Sequence, residues 1–255
     1  MKRRVVWVGR SEERAKDLAA ALTKAGLESF VRPAIRITDE FDDSAFQAFI
    51  QNPQKYDLAV FVSAEAARRA IGALRNIAQS PTTLPPALAI GEATGRELTE
   101  WFHLAEKPDA VGSSEFLLNS PILSKVAGQK IAVLGGTSNS KAHTLSPLLY
   151  SALTARGAQV FPLSSYRRKP APPDDGAIAK LLGDNALAAT VAYSGDALRH
   201  MKAMNGAIVS LPLFVIHPHL LHAAQKAGFS HPIVGPAAAE AMAKIIAQEI
   251  SRSTV

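Results

Sequence analysis

The sequence contains no cysteine. That excludes disulfides, thiolate nucleophiles and cysteine-ligated metals, and it fits a reducing compartment. Aromatic residues make up only 6%. None alternates with basic residues, as a stacking platform for single-stranded nucleic acid requires. No apolar run approaches the roughly 20 residues that span a bilayer. The start, Met1-Lys2-Arg3-Arg4-Val5-Val6-Trp7-Val8-Gly9, has the look of a signal peptide, but its apolar part is too short and Arg10 to Arg14 turns polar at once. It reads as a first strand, and the protein as cytoplasmic. No G-x-S-x-G elbow occurs, and Gly135-Gly136-Thr137 lacks the spacing of a phosphate loop or a dinucleotide fingerprint.

What is present is an ordinary core and a mild positive charge. Of 255 residues, 47% are hydrophobic and 20% charged, enough to bury a sizeable core without staples. The net charge of +6 is scattered, apart from Lys2-Arg3-Arg4 and Arg167-Arg168-Lys169. Solubility explains much of it. The remainder points to a small acidic ligand rather than to nucleic acid or a membrane. The expected partnership is a monomer with a small molecule.

Short apolar runs alternate with segments of helical period. The runs are Val5–Val8, Leu58–Val62, Ala87–Ile90, Ile131–Leu134, Val160–Leu163, Leu187–Ala192, Leu213–Ile216 and Ile233–Val234. They lack period-two alternation, so both faces of their sheets should be covered. Between them the period predicts helices at about 12–25, 64–77, 92–102, 114–125, 141–156, 174–182, 195–204, 218–227 and 237–251. Strand and helix in alternation predict parallel sheets with right-handed crossovers.

The chain also repeats itself. Val60-Phe61-Val62-Ser63-Ala64-Glu65-Ala66-Ala67-Arg68 resembles Val191-Ala192-Tyr193-Ser194-Gly195-Asp196-Ala197-Leu198-Arg199, an offset of 131. The same offset pairs Ala25-Gly26-Leu27 with Arg156-Gly157-Ala158. Further upstream, Val6-Trp7-Val8-Gly9-Arg10-Ser11 matches Ala132-Val133-Leu134-Gly135-Gly136-Thr137 more loosely. Two similar α/β lobes are implied, interleaved rather than end to end: residues 1–35 with 167–255, and 37–164 inserted between them. Two extended crossings, near Ala34–Asp39 and Ser165–Pro173, would form a two-stranded linker, the second rich in proline. A cleft is expected between the lobes.

Ligands of open parallel sheets collect beyond the carboxyl ends of the strands. Those ends read Gly9-Arg10-Ser11, Ser63-Ala64-Glu65, Gly91-Glu92-Ala93-Thr94, Gly135-Gly136-Thr137-Ser138, Ser194-Gly195-Asp196 and His217-Pro218-His219. Small and hydroxylic residues there let helix N-termini approach an anion. Taken singly, Ser63, Thr94 and Ser194 are ordinary helix caps. Taken together, six such ends favour carboxylate binding. His217, His219 and His222 have spacing that could hold a metal, but without a neighbouring acid they read better as a polar helix start. Tyr166, at the second crossing, either donates a proton to a leaving group or packs as a hinge contact.

The same positions carry a family resemblance. Phe61-Val62-Ser63-Ala64-Glu65-Ala66-Ala67 resembles the F-T-S-x-x-A-V stretch of uroporphyrinogen-III synthases. Ala89-Ile90-Gly91-Glu92-Ala93-Thr94-Gly95 resembles their A-V-G-x-x-T-A stretch, and Ser114-Glu115-Phe116-Leu117-Leu118 their S-E-x-L-L element. Gly157-Ala158-Gln159-Val160 and then Tyr166 match G-A-x-V and a linker tyrosine. The likeness runs in order along nearly the whole chain. It implies two α/β lobes on a two-stranded linker, and conversion of hydroxymethylbilane to uroporphyrinogen III. In that reaction water is lost and ring D is inverted through a spirocyclic intermediate, with no cofactor and no metal. It implies Tyr166 as the group assisting hydroxyl departure. It also implies that Arg10, Ser63, Ala64, Gly91, Glu92, Ala93, Thr94, Ser194, Gly195 and His217 line the substrate site, largely through backbone amides. Val62, Gly135-Gly136, His217 and Ala238 depart from the threonine, arginine-glycine, serine and threonine common there. The competing reading is a non-catalytic two-lobed binding protein for a polyanionic small molecule. Such receptors are usually secreted, whereas Met1–Gly9 reads as a strand rather than as a signal peptide.

Overall fold

The computed structural model describes residues 3–38, 43–108, 112–138, 147–173 and 175–252. The chain divides into two compact units, Met1–Arg36 with Pro170–Val255, and Ile37–Lys169. Among the described residues no helix is long and apolar enough to cross a membrane.

The first unit opens with β1 (Val5–Val8), α1 (Glu12–Lys24) and β2 (Glu28–Val31). The chain then runs through β3 (Ile35–Thr38) into the second unit. There it forms α2 (Ser44–Gln51), β4 (Leu58–Phe61), α3 (Ala64–Asn76), β5 (Ala87–Ala89), α4 (Glu92–Leu98), α5 (Ser114–Leu118) and α6 (Pro121–Ser124). The unit continues with β6 (Lys130–Ser138), α7 (Pro147–Ala155) and β7 (Gln159–Pro170). The chain returns to the first unit with α8 (Ala177–Gly183), β8 (Leu187–Ala192), α9 (Gly195–Met204), β9 (Pro212–Val215), α10 (His219–Lys226), β10 (His231–Val234) and α11 (Ala239–Arg252). The first sheet has the order β10-β9-β8-β1-β2 and the second β3-β7-β6-β4-β5. Pairing is parallel throughout the first sheet and along β7-β6-β4-β5 in the second. The fold is α/β with two parallel-dominated sheets.

The missing alternation has the expected cause. Along β1, Val5 and Trp7 pack into one cluster with Leu198, Met201 and Leu220 of α9 and α10. Val6 and Val8 pack into another with Leu18 and Leu22 of α1 and Ile246 of α11. The second sheet is sandwiched likewise. Ala59, Phe61, Ala132 and Leu134 face α2 and α3, while Leu58, Val60, Ile131 and Val133 face α5, α6 and α7.

The two frames agree in detail. Ser63 and Ser194 both sit in extended backbone ahead of a helix, and each accepts from the backbone N–H three residues on, at 3.1 and 3.2 Å. Gly26 and Gly157 both lie in the left-handed region, at φ 77° and 83°. Each ends a helix with the same pair of bonds. Gly26 N–H donates to Thr23 O and Leu27 N–H to Leu22 O; Gly157 N–H donates to Thr154 O and Ala158 N–H to Leu153 O. A side chain at either glycine would strain that turn. Among the described residues of the second unit, the counterpart of β10 is a trace of a strand, a parallel bridge between Ala87 and Leu104.

The structure corrects the match of β1 with β6 by one residue. Val8 pairs with Val191 and Val133 with Val60, so Val8 corresponds to Val133 and Arg10 to Gly135. A slip of one residue would turn every side chain of the strand to the wrong face. Gly135-Gly136-Thr137-Ser138 is also not a turn beyond the strand: it forms the last four residues of β6, which β7 accompanies to Arg168. The helix expected at 114–125 is two short ones, because Pro121 opens α6 and keeps Ser120 out of helical geometry. Of the helix expected at 141–156, residues 141–146 lie outside the described ones.

Candidate functional site

Three turns at the carboxyl ends of β4, β5 and β8 present helix N-termini. Ser63, Gly91 and Ser194 are the caps of α3, α4 and α9. Behind each cap, the first two helical N–H groups have no acceptor within the helix. These belong to Ala64 and Glu65, to Glu92 and Ala93, and to Gly195 and Asp196. Thr94 is only 4% exposed, so the Gly91 turn offers backbone N–H groups more readily than the Thr94 hydroxyl. Glu92 is exposed and lies 3.7 Å from Arg96.

Acids in the first turn suit the helix dipole but would repel an anionic ligand. Both units solve this alike. Glu65 is bound by Arg68 at 2.8 Å and Arg69 at 2.7 Å, and Asp196 by Arg199. Burial pushes the Glu65 carboxyl up, yet the two guanidinium groups outweigh burial and hold it below its ordinary value.

Tyr166 occupies the centre of the second unit's carboxyl end. It is 6% exposed and belongs to the cluster formed by Phe61, Leu134 and Leu163. Its hydroxyl lies 3.2 Å from Ser63 Oγ. A bulge between Gly135 and Gly136 skips Ser165, whose hydroxyl donates to Gly135 O, and brings Tyr166 opposite Gly136. The ring lies directly on Gly136: a Cβ there would stand 2.1 Å from a ring carbon. The guanidinium carbons of Arg69 and Arg168 each lie 6.0 Å from the ring centre.

In the first unit, Arg10 lies over the Tyr193 ring at 4.0 Å, and its buried Nε has no hydrogen-bond partner. Burial pushes the Tyr193 phenol up, and the Arg10 charge and hydrogen bond oppose that. His217 follows β9 at the surface, with its Nδ1 2.6 Å from that of His219. No group of three metal-ligating side chains occurs among the described residues. The structure thus brings Tyr166 together with Ser63, and Arg10 with Tyr193, one pair in each unit. Gly136 as the seat of the tyrosine, and Arg69 and Arg168 beside it, were not among the expected site residues. The sequence signals were the adjacent Gly135-Gly136 and the basic cluster Arg167-Arg168-Lys169.

Fold and site together define a class: a double parallel-sheet α/β protein with helix N-termini gathered at the carboxyl end of each sheet. The family model of uroporphyrinogen-III synthase HemD matches residues 16–247, and the chain belongs to that family. It is a cyclising lyase that converts hydroxymethylbilane to uroporphyrinogen III in heme biosynthesis. Solved structures share the fold. A mutant uroporphyrinogen III synthase from the extremely thermophilic bacterium Thermus thermophilus is 17% identical over 98% of each chain, with a TM-score of 0.61. The uroporphyrinogen-III synthetase from Helicobacter pylori is 14% identical over 99% of this chain and 100% of that one, with a TM-score of 0.55. No curated protein sequence matches the chain significantly.

Proposed function

We propose that Tyr166 is the catalytic proton donor for this reaction and that the strand ends of both units hold the acid arms of the substrate. Hydroxymethylbilane carries acetate and propionate groups on every pyrrole. Backbone N–H groups at helix N-termini take carboxylates without adding side-chain charge. Ala64, Gly91, Glu92, Ala93, Thr94, Ser194, Gly195 and His217 would supply this lining, with Arg10 as the one guanidinium in the set. The two units act as two domains of one monomeric enzyme. It works in the cytoplasm on a free small molecule, without nucleic acid or membrane.

The chemistry begins with departure of the terminal hydroxyl. As its C–O bond breaks, Tyr166 gives a proton and the group leaves as water, leaving a cationic azafulvene. Attack from the substituted carbon of ring D forms the spirocyclic intermediate. Rearrangement and loss of one proton complete uroporphyrinogen III and return the proton to the phenolate. Holding both ends of a flexible linear molecule removes much of the entropic barrier to closure.

The observation that carries this assignment is the tyrosine itself. It is buried, seated on Gly136 and hydrogen-bonded at its hydroxyl. Tyr166→Phe keeps the ring and removes the proton. With hydroxymethylbilane supplied and the isomers separated, kcat for isomer III should fall about 10²- to 10⁴-fold, the usual range for a lost general acid. Unchanged turnover would leave Tyr166 a packing residue. Accumulation of isomer I alone by the unaltered protein would refute the synthase activity.

A further inference from the structure

We infer that Ser63 is a positioning residue for Tyr166 rather than a ligand for substrate carboxylate. This rests on Tyr166 being the proton donor.

Ser63 Oγ has two close partners. It accepts from Ala66 N–H at 3.1 Å as the cap of α3, and it lies 3.2 Å from Tyr166 Oη. A serine hydroxyl has one hydrogen and two lone pairs. With the Ala66 N–H occupying one lone pair, Ser63 still has one lone pair and its hydrogen, and Tyr166 Oη lies within reach of either. The proposed relay runs from Ala66 N–H to Ser63 Oγ, and from Ser63 O–H to Tyr166 Oη. This order leaves the Tyr166 hydrogen unspent and turned away from serine, available to the departing hydroxyl. The opposite order would tie up the proton that the reaction needs.

The relay also prepares the tyrosine to carry charge. When Tyr166 gives up its proton, charge gathers on Oη. Ser63 then donates to a phenolate, and its own oxygen is polarised by the N-terminus of a 13-residue helix. The ring cannot swing away, because it lies on Gly136 and is packed with Phe61 and Leu134. Ser194 caps α9 in the same way, but its hydroxyl has no tyrosine partner among the described hydrogen bonds. The two equivalent serines have therefore parted in function: Ser194 remains free for substrate, while Ser63 serves the tyrosine.

Three Ser63 variants separate the relay from plain capping. Ser63→Thr keeps cap and donor. Ser63→Asp keeps the cap, since a carboxylate accepts from Ala66 N–H, but cannot donate to Tyr166. Ser63→Ala loses both. Melting curves should place Ser63→Thr and Ser63→Asp with the unaltered protein. Relative to it, kcat should fall about tenfold or more in Ser63→Ala and Ser63→Asp, with KM within about twofold, and Ser63→Thr should recover most of it. Adding Ser63→Ala to Tyr166→Phe should cost nothing further. The relay is overturned if Ser63→Asp turns over as fast as Ser63→Thr, if Ser63→Ala raises KM and spares kcat, or if the Ser63→Ala and Tyr166→Phe losses multiply. A slow Tyr166→Phe beside a fast Ser63→Asp removes the relay and leaves the donor. A fast Tyr166→Phe removes both.

Discussion

Laid over one another, the two units share their frame and differ in their chemistry. The serine caps, the first-turn acid with its arginine and the left-handed glycines recur 131 residues apart. Where the first unit has Arg10 lying over Tyr193, the matching residues of the second are Gly135 and Val62, which cannot stack or carry charge. Where the second has Tyr166 on Gly136, the first has Ile35 and Ser11. The duplicated parts are those that any βα turn needs. The parts that differ are those that a single reaction would use once. A repeated fold can therefore place a stacked arginine in one half and a seated tyrosine in the other while keeping both halves stable.

The sharpest way to break this comparison is Gly136→Ala. The added carbon would stand 2.1 to 2.5 Å from three ring carbons of Tyr166, with the ring held by packing on its other sides. The ring must leave its seat, and kcat should fall about 100-fold or more if Tyr166 is the acid. Overpacking should also cost about 1–3 kcal/mol in urea unfolding. Full activity would mean that the seat is not needed. The counterpart in the first unit is Arg10→Ala. If Arg10 holds a substrate arm, KM should rise about tenfold while kcat holds, as for the loss of a charge-assisted hydrogen bond. Because the Arg10 charge opposes the burial that raises the Tyr193 phenol, its removal should move tyrosinate formation, monitored by ultraviolet absorbance, to still higher pH. A kcat loss at constant KM would place Arg10 with the chemistry instead.

Much of the frame was legible in the sequence, since each apolar run coincides with a strand and the caps at Ser63 and Ser194 announce their helices. The short α2 was passed over although Phe46, Phe49 and Ile50 lie at helical spacing behind an Asp43 cap. Its eight residues hold too little of the period to stand out. The slip between β1 and β6 came from matching Gly9 to Gly135 by identity, whereas the pleat decides which residue faces which layer. At the site, the tyrosine and the serine were each visible and their pairing was not. Ser63 and Tyr166 are 103 residues apart, and only the pairing of β4, β6 and β7 brings them together. The bulge that aims the ring at Gly136 has no signature beyond the two adjacent glycines.

The smallest effect tests the frame alone. Thr190 is fully buried in the middle of β8, between Trp7 of β1 and Leu213 of β9. Its hydroxyl has no hydrogen-bond partner among the described residues. Ala59, its counterpart in the second unit, has no hydroxyl to leave unpaired and is also fully buried. Val has the shape of Thr without the hydroxyl, so Thr190→Val removes a buried, unpaired polar group and leaves the packing in place. A group of that kind costs about 1–3 kcal/mol. The variant should therefore be more stable by about 1 kcal/mol in urea unfolding, a rise of roughly 2–4 °C in Tm for a chain of this size, with kcat and KM unchanged. A loss of stability would mean that the hydroxyl has a partner in solution, such as a buried water between β1 and β8. The first sheet would then differ from the second in its interior as well as at its carboxyl end.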